Sequence, residues 1–220
     1  MKKISCFLLF SLLYLSGIHG QNRAQLRLIG AAVGDSVVLR WAVANDDAWP
    51  RANIAGYVLQ RTELDTKNKV VGRSLQRIAP DTIRPWTYAS LEKKINRQDT
   101  FALLAAQCLY GKSMRTQTVS GDLIAALKEA DTELSNRHGF ALIAADLSAQ
   151  AADILGWRWV DRDIKKGHKY LYLLHCPRLN GQAMSDTAMY MIKPEEYLSL
   201  KAPEPPVLIS SEGHISLTWE

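Results

Sequence analysis

The chain has 220 residues, 47% of them hydrophobic and 22% charged, with a formal net charge of +5. That is enough apolar material for one or two domains with a sizeable core, which excludes a disordered or low-complexity chain. Setting aside Lys2 and Lys3 lowers the charge to +3, and the remaining basic residues are dispersed rather than clustered, which argues against nucleic acid as a partner.

Lys2 and Lys3 precede an apolar run from Phe7 to Leu15, closed by Ser16, Gly17 and Gly20. The pattern predicts a secretory signal peptide over residues 1–20, cleaved before Gln21, and export to the periplasm, cell surface or extracellular space. The run is shorter than the ~20 residues that span a bilayer, and no other stretch is long enough, so no membrane span is expected after cleavage. Cys6 precedes the run and is badly placed for lipidation. Cys108 and Cys176 then remain, either as one disulfide of an exported protein or as two buried free thiols; the sequence leaves both open.

Leu26 to Leu28 begins an apolar–polar alternation, Gly34-Asp35 marks a turn, and Val37, Leu39 and Trp41 alternate with polar or smaller neighbours. Two antiparallel strands with a buried Trp are expected. Asn45 to Asn53 reads as a loop, Ile54 to Arg61 as a third strand carrying Tyr57 and Leu59, and Val70-Val71 as the start of a fourth. The β pattern stops after Ile78 to Pro85.

From Trp86 to Gly156 apolar residues recur at helical spacing, and Ala, Leu, Gln, Glu and Lys replace β-branched residues. Three or four helices are expected. The first covers Tyr88 to Ile95, and the second starts from Asp99 as N-cap and ends at Gly111. A third starts from Ser120, carries Leu123, Ile124, Leu127, Ala130 and Leu134 on one stripe with Lys128, Glu129 and Glu133 outward, and closes at Asn136 to Gly139. The fourth runs from Phe140 to Leu155 with Leu142, Ile143, Leu147, Ala151 and Ile154 toward the core, stopped by Gly156.

Strands resume at Trp157 and Trp159. Ile164, Gly167 and Tyr170 then follow at three-residue intervals before Tyr170, Tyr172 and Leu174 alternate, and Ala188 to Ile192 offers a last edge strand. Trp41, Trp157, Trp159 and Tyr170 are expected in the core. Gly167 suits a tight corner, and Tyr170 can pack its ring inward while its hydroxyl bonds backbone upstream.

The spacing Ile164-x-x-Gly167-x-x-Tyr170-x-Tyr172-x-Leu174 resembles the E–F corner of fibronectin type III domains. Leu39-x-Trp41 followed by Gly56-Tyr57-x-Leu59 resembles the second and third strands of the same family. The resemblance implies an α+β chain: a fibronectin type III-like antiparallel β-sandwich over residues 21–202, with strands in 25–83 and 157–195, interrupted by a helical insertion at 86–156. Removing the 71 residues of the insertion from the 182 of that span leaves 111, close to the roughly 100 of an immunoglobulin-like sandwich. Residues 203–220 read as a Pro-rich linker and the first strands of a second such module, cut short, with Ile215, Leu217 and Trp219 expected to be exposed or poorly ordered.

No constellation for chemistry stands out. Asp46 and Asp47 beside Trp49 read as a solvated loop, and Asp161 and Asp163 as acceptors at a bend. His138, His168, His175 and His214 lack zinc-ligand spacing and read as surface or strand histidines, no nucleophile motif is present, and no cofactor is expected. Exposed aromatics are the better candidates, because binding surfaces favour Trp and Tyr: Trp49, Trp86, Tyr88 and Tyr110 fall in loops or at helix ends. The expected function is therefore a non-catalytic binding or scaffolding module of an exported envelope or surface protein, meeting a protein or carbohydrate partner alongside downstream modules of the same chain. The alternative is the N-terminal accessory region of a secreted hydrolase whose catalytic domain lies beyond Glu220.

Overall fold

A computed structural model describes residues 23–112, 123–165, 167–194, 207–211 and 214–218. The protein is mixed α/β, with two antiparallel sheets, each built from strands on both sides of a helical region in the sequence. One sheet has the order β1 (Leu26–Val33), β2 (Ser36–Val43), β5 (Arg158–Asp161); the other has the order β4 (Val70–Arg77), β3 (Val58–Leu64), β6 (Lys169–His175), β7 (Ala188–Ile192). A separate hairpin pairs β8 (Val207–Ser211) with β9 (His214–Thr218). It lies in the stretch expected to open a second module; the side chains of Ile215 and Leu217, and Trp219 itself, lie outside the described residues.

Strict alternation builds the core. Val37, Leu39, Trp41 and Val43 point inward from β2, and Tyr170, Tyr172 and Leu174 from β6; all are buried in one cluster to which both sheets contribute. Trp41 lies 5.9 Å from Tyr57. At the other end of the sheets Asp161, only 5% exposed, accepts from Arg61 Nη1 at 2.7 Å and from the Tyr172 hydroxyl at 2.8 Å, which ties β5 to β3 and β6. Asp161 also accepts from the Asp163 backbone N–H, the role expected of it. Arg61 further bonds the Asp163 carbonyl and carboxylate. Burial works against the Arg61 charge, but the Asp161 hydrogen bond and charge outweigh it and hold its pKa above the ordinary value.

The corner forms as expected. Tyr170 is 2% exposed, its hydroxyl accepts from the Lys165 backbone N–H at 2.9 Å, Ile164 packs against the core, and Gly167 has φ +83°.

Several boundaries differ from the sequence expectations. Asn45 to Asn53 is not a loop: a 3₁₀ turn over Asp46–Ala48 leads into helix α1 (Trp49–Ala55), with Pro50 in the first turn, where its missing N–H costs nothing. Ile54 belongs to that helix and is 65% exposed, so the third strand starts only at Val58. Helices α2 (Tyr88–Lys94) and α3 (Thr100–Tyr110) stand where expected, capped by Thr87 and Asp99.

The third and fourth helices are one, α4 (Leu123–Leu147), continuous through Asn136 to Gly139; the cap expected at Ser120 lies outside the described residues. Tertiary bonds override the weak local sequence. Arg137 bonds the carbonyls of Gln107, Cys108 and Gly111 at the end of α3 and pairs with Glu133, which is therefore largely buried rather than outward. His138 bonds the Val43 carbonyl at 2.8 Å. The break comes ten residues later, at Ser148, which caps α5 (Ala149–Ile154). The expected inward stripe was also turned: Ile143 and Leu147 are half-exposed, and the small residues Ala141, Ala144 and Ala145 are the buried ones, allowing close helix approach.

Gly156 ends α5 with φ +67°. Its N–H donates to Asp153 and that of Trp157 to Ala152, the paired bonds of a Schellman cap. A Cβ there would sit 2.6 Å from the Arg84 backbone, so only glycine fits. Of the four aromatics expected in the core, Trp159 is half-buried and the other three are buried. Among the described residues no helix is long and apolar enough to cross a membrane.

Candidate functional site

Three of the four candidate aromatics meet in the helical region: Tyr88 and Tyr110 are exposed, and Trp86 beside them is half-buried and packs against the core. Trp86 is fixed by its backbone N–H, which donates to the Ile154 carbonyl at 2.9 Å. Thr87 then caps α2 by accepting from Ser90 N–H, which sets Tyr88 at the first position of that helix. Tyr110 ends α3, and its hydroxyl donates to the Trp86 carbonyl at 2.5 Å. Tyr88 and Tyr110 meet edge to face, centroids 5.9 Å apart at 82°, the arrangement that aromatic quadrupoles favour. Lys94 lies 5.7 Å from the Trp86 ring centroid, close enough for a cation–π contact.

The patch is open. Tyr88 is 61% and Tyr110 43% exposed, and Leu103, two turns before Tyr110 on the same helix, is also exposed. The helix end that carries Tyr110 is held in place, because the Arg137 guanidinium donates to the carbonyls of Gln107, Cys108 and Gly111. A pre-set pair of perpendicular rings with a neighbouring cation offers apolar contact area at little conformational cost.

Trp49 is not part of it. At 3% exposure it stands in the core, 5.5 Å from His138 and 6.0 Å from Trp157. The reason is α1: the Trp-Pro pair starts a helix whose first residue turns inward, instead of decorating a loop. His138, read from the sequence as a surface or strand histidine, is 5% exposed and fills the seam between α4 and β2. Trp157 Nε1 donates to the buried Tyr57 hydroxyl at 3.1 Å, and that burial raises the Tyr57 pKa. These side chains join the helical region to the sheets.

Cys108 and Cys176 are both free and buried, so of the two readings left open the thiols hold; burial pushes each up to about 11, which leaves them protonated and poorly nucleophilic. Asp46 accepts from Ser135 and from Asp47 N–H, and the Ser135 hydroxyl holds it below the usual carboxylate range. Among the described residues no group of three or more His, Cys, Asp or Glu is placed to hold a metal ion.

No protein-family model matches the chain, and no curated protein or solved structure is significantly similar to it. A cleft of about 340 Å³ lined by Arg23, Gln25, Asn45, Asp47 and Asp186 is polar, but Asn45 and Asp186 spend their carboxamide and carboxylate oxygens on the backbone N–H groups of Gln25 and Leu26. The aromatic surface is the stronger candidate.

Proposed function

We propose that this protein is a non-catalytic binding or scaffolding module of an exported cell-envelope or surface protein, and that Trp86, Tyr88 and Tyr110 form its contact surface. The carrying observation is the exposed edge-to-face pair Tyr88–Tyr110, locked by the Tyr110–Trp86 hydrogen bond. Exposed aromatics of this kind carry most of the energy at binding surfaces.

The scaffold we read as a fibronectin type III-like sandwich. Support comes from the strand orders β1-β2-β5 and β4-β3-β6-β7, from the buried Trp41, and from the corner hydrogen bond between Tyr170 and Lys165. With β5 and β6 as strands E and F, the helices fall in the connection that precedes E. Export rests on Lys2, Lys3 and the run Phe7 to Leu15.

A photoreactive amino acid at position 88 in exporting cells tests the reading, together with co-sedimentation of the full chain on chitin, cellulose and peptidoglycan. A discrete adduct or polysaccharide retention that disappears with Tyr110→Ala is expected. Retention and adducts that are absent, or indifferent to Tyr110→Ala, would remove the aromatic surface as the contact site.

A further inference from the structure

The second sheet has a face that the core does not use. Its inward rows are Gln76, Arg61, Tyr172 and Tyr190, then Leu59, Leu174 and Ala188. Directly paired residues share a face, so the register assigns the outward rows: Arg77, Gln60, Leu173 and Met189; Thr62, Leu171 and Met191; Val70, Leu64 and Lys169. Val58 and His175 complete it.

An outward face of an antiparallel sheet is normally polar. Here Val58, Leu64, Val70, Leu171, Leu173, Met189 and Met191 form an apolar field instead. The field has relief: Met189 is 65%, Val70 53% and Met191 47% exposed, whereas Leu64 and Thr62 are nearly covered. Two adaptable methionines on β7, across the half-buried Leu171 and Leu173 from the recessed Thr62 and Leu64, suit a surface that moulds to a partner.

Charge decides which partner. Arg77 and Lys169 stand at opposite corners of the field, and none of the paired outward positions is Asp or Glu. Glu63 belongs to the inward face opposite Tyr170 and bonds His168. Burial, then the Arg77 charge, lowers the His175 pKa, and His175 brings no negative charge to the field. A second copy docked face to face would bring the cations of both copies into one interface with no carboxylate from the paired outward positions to match them. A lipid surface is disfavoured as well, because the field carries no Trp, Phe or Tyr to seat in the interface.

We propose that this outward face docks a partner protein through a segment whose central apolar side chains are flanked by Asp or Glu, a contact separate from the aromatic surface on the helices. Methionine and leucine side chains supply the buried area, and Arg77 and Lys169 set orientation through the flanking carboxylates.

Selection of displayed random peptides on the full chain, followed by anisotropy titration of the winners, tests it. The expected winners carry Leu, Ile or Phe between acidic residues. Their affinity falls roughly tenfold with Met189→Glu, stays unchanged with Tyr88→Ala, and weakens with added salt. The pair Arg77→Glu and Lys169→Glu shifts selection toward basic flanks. Winners without acidic enrichment, or indifferent to Met189→Glu, would overturn the proposal. So would Met189-dependent binding to vesicles of phosphatidylcholine with one quarter phosphatidylglycerol in the absence of peptide binding, or a dimer in sedimentation equilibrium that Met189→Glu dissociates.

Discussion

The Ser148 hydroxyl donates to Asp99 Oδ2 at 2.6 Å, so the caps of two helices 49 residues apart are a single hydrogen-bonded unit. Asp99 Oδ1 meanwhile accepts from Phe101 and Ala102 N–H, and Ser148 Oγ accepts from Ala151 N–H. The unit fixes where α3 and α5 begin relative to each other.

Ser148→Ala removes one cap and the link, and is expected to cost about 1–2 kcal/mol by urea denaturation. The same unit predicts a pH response. The Ser148 hydroxyl bond, followed by the Ala102 N–H, holds the Asp99 pKa below its ordinary value. A depressed carboxylate stabilises the fold above its unfolded pKa and loses that contribution as pH falls through its folded value. The wild-type protein should therefore lose stability below about pH 4, and Ser148→Ala should lose less over that range because its Asp99 is less depressed.

Tyr170→Phe should cost about 1 kcal/mol, since the ring still packs but the Lys165 N–H loses its acceptor. Hydrogen exchange at the Lys165 amide, faster in the variant, distinguishes this from a general loss of packing.

Asp161 serves a half-buried cation and a buried hydroxyl at once. Asp161→Leu should destabilise by about 3 kcal/mol, because Arg61 keeps a charge at 11% exposure without that partner. Combining it with Arg61→Met should recover part of the loss in equilibrium unfolding. A double variant as unstable as the sum of the singles would show that the pair is not coupled.

Much of the sheet structure was legible because alternation leaves a local trace: Val37, Leu39 and Trp41 had to share a face, and Ile164, Gly167 and Tyr170 had to make a corner. The helix start at Asp99 was legible for the same reason, as a cap acts within three residues; Thr87, which caps the preceding helix, is not among the caps expected from the sequence. What could not be read depends on contacts between distant residues. Asn136 to Gly139 carries every mark of a helix end, yet Arg137 and His138 are held by carbonyls of α3 and β2, and the helix runs on. Trp49 beside Pro50 carries the marks of a loop and of a helix start alike, and only burial against Trp157 decides. The aromatic types at positions 86, 88 and 110 were visible; their meeting required α2 and α3 to fold back on one another.

His138→Leu tests the seam. It keeps most of the volume between Trp49 and Trp157 but leaves the Val43 carbonyl unpaired, for an expected cost of roughly 1–3 kcal/mol. Near-ultraviolet circular dichroism should lose tryptophan signal at temperatures where the far-ultraviolet signal persists.

Cys108 and Cys176, with pKa values of about 11, should resist a thiol reagent at pH 8 in the folded protein and react on unfolding. Mass mapping of labelled peptides checks each separately.

The hydrogen bond from Trp86 N–H to the Ile154 carbonyl means that the chain leaves the sheets and comes back through one doorway. Closing a loop of many residues costs little more than closing one of half the length, so a graft of another fold at this junction is favourable on chain entropy, provided its own ends meet there. The obstacle is apolar. Trp49 and Trp157 would be uncovered by any guest lacking a residue to stand where His138 does, so a splice tolerated by the backbone would still be selected by its side chains.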